Sequence, residues 1–378
     1  MAEKSVRSAL VLAGAPEQHV DLLYATGFMA PDPVVYVQVG RWRGMMVSAL
    51  EYGRAVATCA ERGMQIVTPQ QAGLEGAARG NLARWICALL EPHAVRCIRV
   101  PALFPSGLLR QLEAAGITVE VLTKDPFPKR RRKSHSELAL IRESQRAAVI
   151  AMRAAIGLLS ESCIDRQGLL QSGDTVVTAE MLQRRIAEIL LRHDCYCGQT
   201  IVACGAQGAD PHERGSGPLA AHQPIVIDIF PRHQGHGYCG DITRTVVKGQ
   251  ATRALKHMYH TVKGAHAAAL RKVHAGAATR SVHQAAVDWI ASRGYPTGRD
   301  EKGFYGFMHS TGHGVGLALH EAPSVGCNQA YLRLGDVITI EPGLYYPGIG
   351  GIRLEDTVTV TAQGWRYLVP CETSFEMA

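Results

Sequence analysis

Two glutamates set at equal distances from one turn constrain this chain more than any other feature. Glu341 follows the apolar run Val337-Ile338-Thr339-Ile340, Glu355 lies in IRLEDTVTV, and both are equidistant from Gly348 in the turn Pro347-Gly348-Ile349-Gly350. Apolar runs joined through Pro and Gly predict a β-hairpin, so both glutamates are expected on strands, facing each other. Residues so placed have Cβ atoms about 4.5 to 5.5 Å apart, and like charges there are destabilising. The pairing asks for a cation. The pattern recurs upstream, where Asp228 closes PIVID, Asp241 opens DITRTVV, and the two are equidistant from the Gln234-Gly235 pair. His313 stands among glycines in GHGVG, where missing side chains let backbone approach an ion or a substrate. Two facing carboxylate pairs and one histidine offer four oxygen-type ligands and one nitrogen. That set suits two divalent ions sharing carboxylates, manganese or cobalt ahead of zinc.

Taken in order, Asp228, Asp241 in DITRT, His313 in GHGVGL, Glu341 in EPG and Glu355 in RLED form a coherent series. It resembles the ligand order Asp, Asp, His, Glu, Glu of the pita-bread metallopeptidases, the family of Xaa-Pro aminopeptidases, prolidases, methionine aminopeptidases and creatinase. The likeness covers about the last two thirds of the chain. It implies a creatinase/prolidase-type α/β N-terminal domain over residues 1–128 and an α+β pita-bread catalytic domain over residues 129–378. By the same resemblance, Asp228, Asp241, His313, Glu341 and Glu355 are the metal ligands, and Glu341 also takes a proton from the attacking water. His212 in ADPHERG and His320 in LHEAP fall on the substrate-side histidines that hold the scissile amide and steady the tetrahedral intermediate. Arg353 shares a strand face with Glu355 and is expected to brace that carboxylate or to bind the product carboxylate. Thr243 shares the face of Asp241 and is expected beside a metal oxygen. His309 is expected to support its loop, and His257, His260, His266 and His283 to lie exposed on helices.

The implied activity is hydrolysis of the bond before proline by a dinuclear exopeptidase holding manganese, with cobalt or zinc as alternatives. An Xaa-Pro dipeptidase is favoured over an Xaa-Pro aminopeptidase acting on longer peptides, because the N-terminal domain is modest and no long C-terminal extension is seen. Methionine aminopeptidases lack such a first domain, and creatinase works without these metal ligands. A non-catalytic peptide- or nucleic-acid-binding protein on the same fold is the alternative of another class, disfavoured by the intact ligand set. The expected partner is a proline-containing dipeptide or short peptide, not nucleic acid or membrane. The expected assembly is a homodimer in the cytoplasm, and the loop-like stretch from Asp21 to Pro33 resembles one that reaches the partner's active-site mouth. The chain also departs from the family pattern. The tip RHQGHG is two residues longer than usual, and Phe230 stands where a glycine is common. Gly198 lies near the place of a tyrosine found in some prolidases, and nothing matches an arginine that some carry after the second substrate-side histidine. Recognition of a free C-terminal carboxylate is therefore left unassigned.

Composition sets outer bounds. A chain of 378 residues, 47% apolar and 19% charged, is ordinary for a soluble globular protein of two domains. Its net charge of +7 is dispersed except for the run from Lys129 to Lys133, which reads as a solvated linker rather than a nucleic-acid patch. Ten cysteines are too dilute for a disulfide scaffold, and no Cys/His spacing fits a structural zinc, so reduced thiols are expected. SALVLAGA after Lys4 and Arg7 imitates a signal peptide, but it reads as a first strand, and no twenty-residue apolar run offers a membrane span. Up to residue 128, the strand patterns ALVLAG, VVYVQV, MMVSAL and ITVEVLT mix with an amphipathic stretch at Leu82 to Leu90. A capping box from Ser134 to Glu137 predicts the start of a long helix, with Ile141, Ala148, Met152, Ala155 and Leu159 on its apolar face. Further helices are expected over Thr178–Arg192, Thr252–Val273 and Thr279–Arg293, the last burying Val282, Ala285, Ala286, Trp289 and Ile290. Helix pair, hairpin, helix pair, hairpin fits two similar halves closing over a metal site.

Overall fold

A computed structural model describes residues 8–301 and 303–378, and the chain divides into two compact units between Arg130 and Arg131. Lys4 and Arg7 lie outside the described residues.

The first unit is a six-stranded sheet with helices on both faces, α1 (Val20–Thr26) and α2 (Tyr52–Cys59) in one core and α3 (Leu82–Leu90) and α4 (Ser106–Ala114) in the other. Its strands are β1 (Ser8–Gly14), β2 (Val34–Val39), β3 (Trp42–Met46), β4 (Gln65–Val67), β5 (Cys97–Val100) and β6 (Thr118–Val121), in the order β4-β3-β2-β1-β5-β6. Alternate residues explain why β1 and β2 read as unbroken apolar runs. Val11, Val35 and Val37 face one core with Ile86, Leu89 and Leu112, while Leu10, Leu12 and Tyr36 face another with Leu22 and Phe28. Two expectations need correction. The stretch from Asp21 is not a loop throughout, because helix α1 (Val20–Thr26) occupies its first part and ends at Gly27 with φ 67°. MMVSAL gives only Met45 and Met46 to β3.

The second unit opens with α5 (His135–Glu161), and its capping box at Ser134 and Glu137 is formed in both directions. With α6 (Ala179–Leu191), it covers a four-stranded sheet made of β7 (Ile201–Cys204), β8 (Ile225–Ile229), β9 (Ile242–Lys248) and a short strand, Glu376–Met377. Then α7 (Arg253–Leu270) and α8 (Thr279–Ser292) cover a second sheet, which holds β10 (Gly312–Gly314), β11 (Glu321–Val325), β12 (Val337–Ile340) and, beyond the hairpin β13 (Gly343–Tyr346) and β14 (Gly350–Arg353), β15 (Asp356–Val360). Each helix pair thus buries its apolar face on its own sheet. His266 and His283 are buried on α7 and α8, contrary to expectation, whereas His257 and His260 are exposed. His283 Nδ1 meets Thr311 Oγ1 at 2.8 Å, and His266 Nε2 lies 3.3 Å from Asp356 Oδ2, so α8 reaches the residue just before β10 and α7 the first residue of β15.

The basic run is not simply solvated. Arg130 pairs with Asp21 and Asp125, both within the first unit. Arg131 grips Asp336 through two bonds of 3.0 and 2.7 Å, and Lys133, with its side chain 1% exposed, pairs with Glu321. Only Lys129 and Arg132 are exposed. Arg130, Arg131 and Lys133 each find a buried or half-buried acid distant in sequence, which no local pattern announces.

Candidate metal centre

The upstream hairpin brings Asp228 and Asp241 to one face, though not opposite each other. In the β8–β9 register Asp228 pairs with Thr243 and Ile229 with Ile242, so Asp241, just before β9, is the diagonal neighbour of Asp228. The equal-distance argument was out by two residues, which keeps the face and changes the partner. The partner's place is used well: Thr243 Oγ1 donates to Glu355 Oε2 at 2.8 Å, and so bridges to the other sheet.

At the downstream hairpin the register is as the spacing predicts, since Gly343 pairs with Arg353 and Ile340 with Asp356. Glu341 and Glu355 lie between those paired segments, so they stand opposite one another in a break of the ladder and not on strands, contrary to expectation. Each turns its backbone N–H outward, Glu341 to Thr311 O at 2.7 Å and Glu355 to Thr243 O at 3.1 Å. The break therefore stitches the glutamates to the neighbouring elements that carry the other acidic groups and His313.

His313 completes the group from β10. Its flanking glycines are required by close approach: a Cβ on Gly312 would collide with Thr339 O, and one on Gly314 with Ala322 O. Ligand atoms of Asp241, His313 and Glu355 all lie within 4.8 Å of one another. His313 Nε2 is 3.2 Å from Glu341 Oε1 and 3.6 Å from Asp241 Oδ2. Its Nδ1 faces Gly314 O at 3.2 Å, so the ring proton sits there and the Nε2 lone pair is aimed at carboxylates. Only a cation, proton or metal, relieves that arrangement.

The electrostatics support the same reading. Burial, followed by repulsion from neighbouring carboxylates, pushes Asp241 and Glu355 well above the usual carboxylate range. Burial acts the same way on Glu341, but when a second proton on His313 Nε2 takes the cation's place, the hydrogen bond from that ring and the charges of His309 and His313 outweigh burial and hold this carboxyl down at about 2. Burial depresses the His313 imidazolium, yet the bond to Glu341 raises it overall. Asp228 Oδ1 is buried without a hydrogen-bond partner among the described residues. An orphaned acceptor, a ligating histidine tautomer and mutually repelling buried acids fit divalent cations. Asp228, Asp241, His313, Glu341 and Glu355 are the residues that would hold them.

Around this floor lies a cavity of about 1150 Å³, also lined by His212, His320 and Arg353. His212 and His320 are exposed to it, and the His320 ring stands edge-on to His313 with centroids 4.3 Å apart. Arg353 braces Asp228 rather than Glu355, through Nη2 to Oδ2 at 2.7 Å. Its Nε donates to Thr243 Oγ1 and its Nη1 to Pro211 O and Tyr345 Oη, so of five N–H groups only one on Nη2 is left and no paired edge remains for a product carboxylate, contrary to expectation. Tyr345 in turn meets His309 Nε2 at 2.9 Å, and His309 Nδ1 donates to Ser310 O at 2.7 Å, which fixes that histidine as a loop support. Tyr345, Gln145 and Arg244 were missed from the sequence. Gln145 clamps the backbone of Asp241 with two bonds of 2.8 Å, and Arg244, buried among carbonyls, holds Glu355 O and Asp356 Oδ1. Gln145 and Arg244 lie about a hundred residues from the groups they fix, and although Arg244 is the arginine of DITRT, nothing local shows that its guanidinium crosses to Glu355 and Asp356.

The sequence model of metallopeptidase family M24 matches residues 139–362. The chain belongs to that family. The Xaa-Pro dipeptidase of Pyrococcus horikoshii is 32% identical over 284 residues, 74% of this chain and 75% of that protein. The crystal structure of the prolidase from Pyrococcus horikoshii OT3 superimposes with a TM-score of 0.80 at 25% identity, covering 97% of this chain and 95% of that one. An X-Pro aminopeptidase structure from Thermotoga maritima gives a TM-score of 0.80 at 21% identity and covers 98% of each chain, a likeness of fold alone. The second unit is accordingly an α+β pita-bread unit, and M24 membership makes the chain a metallopeptidase that uses divalent metal. All ten cysteines are free thiols. Among the described residues, no helix is long and apolar enough to cross a membrane.

Proposed function

We propose that this chain is an exopeptidase that cleaves the bond between an N-terminal residue and proline, acting on Xaa-Pro dipeptides. The observation that carries the reading is the convergence of five ligating side chains on the floor of one cavity with two exposed histidines on its wall. The Xaa-Pro dipeptidase relative supplies the substrate class. Two divalent ions, manganese with cobalt or zinc as alternatives, would when bound supply an activated water and polarise the scissile carbonyl. Glu341 remains ionised at neutral pH, and the contacts of His313 and Thr339 both fall on its Oε1, so its carboxylate can accept the water's proton and pass it to the leaving nitrogen. His212 and His320 hold the scissile amide and steady the oxyanion. The acidic floor favours the substrate's free α-amino group, which restricts attack to the first peptide bond. Residues 1–128 act as a creatinase/prolidase-type N-terminal domain, and the enzyme works as a cytoplasmic homodimer.

The test is hydrolysis of Gly-Pro and Gly-Pro-Ala by manganese-loaded protein, with a chelated control. Chelator-sensitive cleavage of Gly-Pro is expected, with Gly-Pro-Ala cleaved poorly. Preference for the tripeptide would favour the aminopeptidase reading, and cleavage of neither would sink the proposal.

A further inference from the structure

A dipeptide carries an anion at its far end, and the departures from the family pattern left that anion without a receptor. Proline's amide nitrogen has no N–H, so the second residue can be recognised only through its ring and its carboxylate. Two guanidiniums line the cavity, those of Arg353 and Arg214. Arg353 is spent on Asp228, Thr243, Tyr345 and Pro211, as described above. Lys133, which is tied to the cavity residue Glu321, is buried against it. Arg214 is different: it is exposed, and among the described residues its guanidinium has neither an ion pair nor a hydrogen bond.

The backbone beneath Arg214 is held firmly. Its carbonyl accepts from Val202 N and from Gln183 Nε2, both at 2.8 Å, and Val202 adjoins Ile201, the register partner of Asp228. Gly215, at φ 79°, packs so closely on Val202 that a Cβ there would strike its carbonyl. The acids of the same loop are occupied in local turns, Asp210 accepting from His212 N at 2.9 Å and Glu213 from Gly215 N at 3.1 Å. Arg214 thus extends a free planar cation from a fixed base, two residues after His212, across a cavity whose floor is acidic. The opposed signs match a zwitterion.

We infer that Arg214 receives the C-terminal carboxylate of the dipeptide and so sets substrate length. This rests on the reading of the site as an Xaa-Pro dipeptidase. A guanidinium matches a carboxylate through paired N–H donors, whereas the amide carbonyl of a longer peptide carries no charge to attract it. The test pairs two readouts on the full-length chain. With manganese-loaded protein, Arg214→Gln should raise KM for Gly-Pro about ten- to hundredfold, leave kcat unchanged and leave Gly-Pro-amide unaffected, with partial recovery in Arg214→Lys. By calorimetry on metal-free protein, the native chain should bind Gly-Pro more tightly than Gly-Pro-amide, and Arg214→Gln should erase the difference. Equal losses for acid and amide, an unchanged KM for Gly-Pro, or native protein with no acid-over-amide preference in binding would overturn the inference. If the native enzyme hydrolyses no Xaa-Pro substrate, the proposed function fails, and calorimetry alone still decides the role of Arg214.

Discussion

The second unit holds two clusters of potential metal ligands, and they differ in their protons. At the floor of the cavity, His313 donates through Nδ1 to a carbonyl and aims a lone pair at carboxylates that already repel one another. At the tip of the upstream hairpin, Glu143, His233 and His236 also bring potential ligand atoms within 4.8 Å of one another. There the two rings stack at 3.7 Å, but His233 Nδ1 accepts from Gly235 N at 3.0 Å and His236 Nδ1 from Tyr238 N at 3.1 Å. Backbone N–H groups can only donate, so both ring protons lie on Nε2, directed at Glu143 from 3.8 and 3.6 Å. A metal would have to displace those protons and break the tip's own bonds. Proximity of ligand types is thus a weak criterion, and the hydrogen bond on the far ring nitrogen decides which cluster is ready for a cation.

The largest effects should come from the cavity floor. Changing a residue that only supports a metal ligand costs about 10- to 100-fold in activity, so Glu355→Gln should cost more than about a hundredfold and reduce bound metal in elemental analysis. The same substitution removes a buried like charge, so the metal-free variant should melt higher than metal-free native protein, by about 2–4 °C for each kcal/mol relieved. Activity and apo stability moving in opposite directions is the signature of ligands held together against their own repulsion, and a fall in both would break the comparison. Chelation of the native enzyme should abolish hydrolysis and lower its melting temperature, since an ion at a hundred times its Kd stabilises by about 2.7 kcal/mol.

A step smaller for chemistry, and large for folding, is Arg353→Met. It strands Asp228 Oδ2 in a buried setting, while Tyr345 Oη keeps His309, and loss of one partner of a buried ion pair typically costs about 3–5 kcal/mol. Chemical denaturation should show that loss, with activity falling even in the folded fraction.

How much of this was readable in advance depended on whether a signal was local. The turn at Gly348 fixed the register of Glu341 and Glu355 because nothing intervenes between their strands, and the capping box at Ser134 marked its helix for the same reason. The spacing of Asp228 and Asp241 misled by two residues because Asp241 precedes β9 and has no ladder partner on β8, while the longer tip folds over His233 and His236. Glu341 and Glu355 left their strands because their N–H groups bond across to Thr311 and Thr243. Lys133 and Arg131 found Glu321 and Asp336 about 200 residues away, and His283 found Thr311, through packing that one-dimensional periodicity does not contain. The ligands were visible as types at intervals, whereas the groups that orient them were not.

The smallest effects should come from the hairpin tip, and there the comparison is easiest to break. Glu143 has a half-exposed side chain, so Glu143→Gln should leave metal content and kcat unchanged and alter stability by no more than about 0.5 kcal/mol. Burial, aided by the neighbouring His233, pushes the His236 imidazolium down to about 4 from its ordinary 6.5. The unfolded chain therefore binds a proton that the folded tip refuses between those values, so the contribution of this ring to stability should rise with pH from about 4 to 6.5 and be constant above. Because the ring is only partly shielded, solvent screening reduces the change to on the order of 1 kcal/mol. Replacing the ring in His236→Gln should flatten that limb when melting temperature is followed from pH 4 to pH 7, with activity at neutral pH preserved. Loss of an equivalent of bound metal from either variant would mean that this tip, too, is a cation site and that the tautomer argument separating the two clusters is wrong.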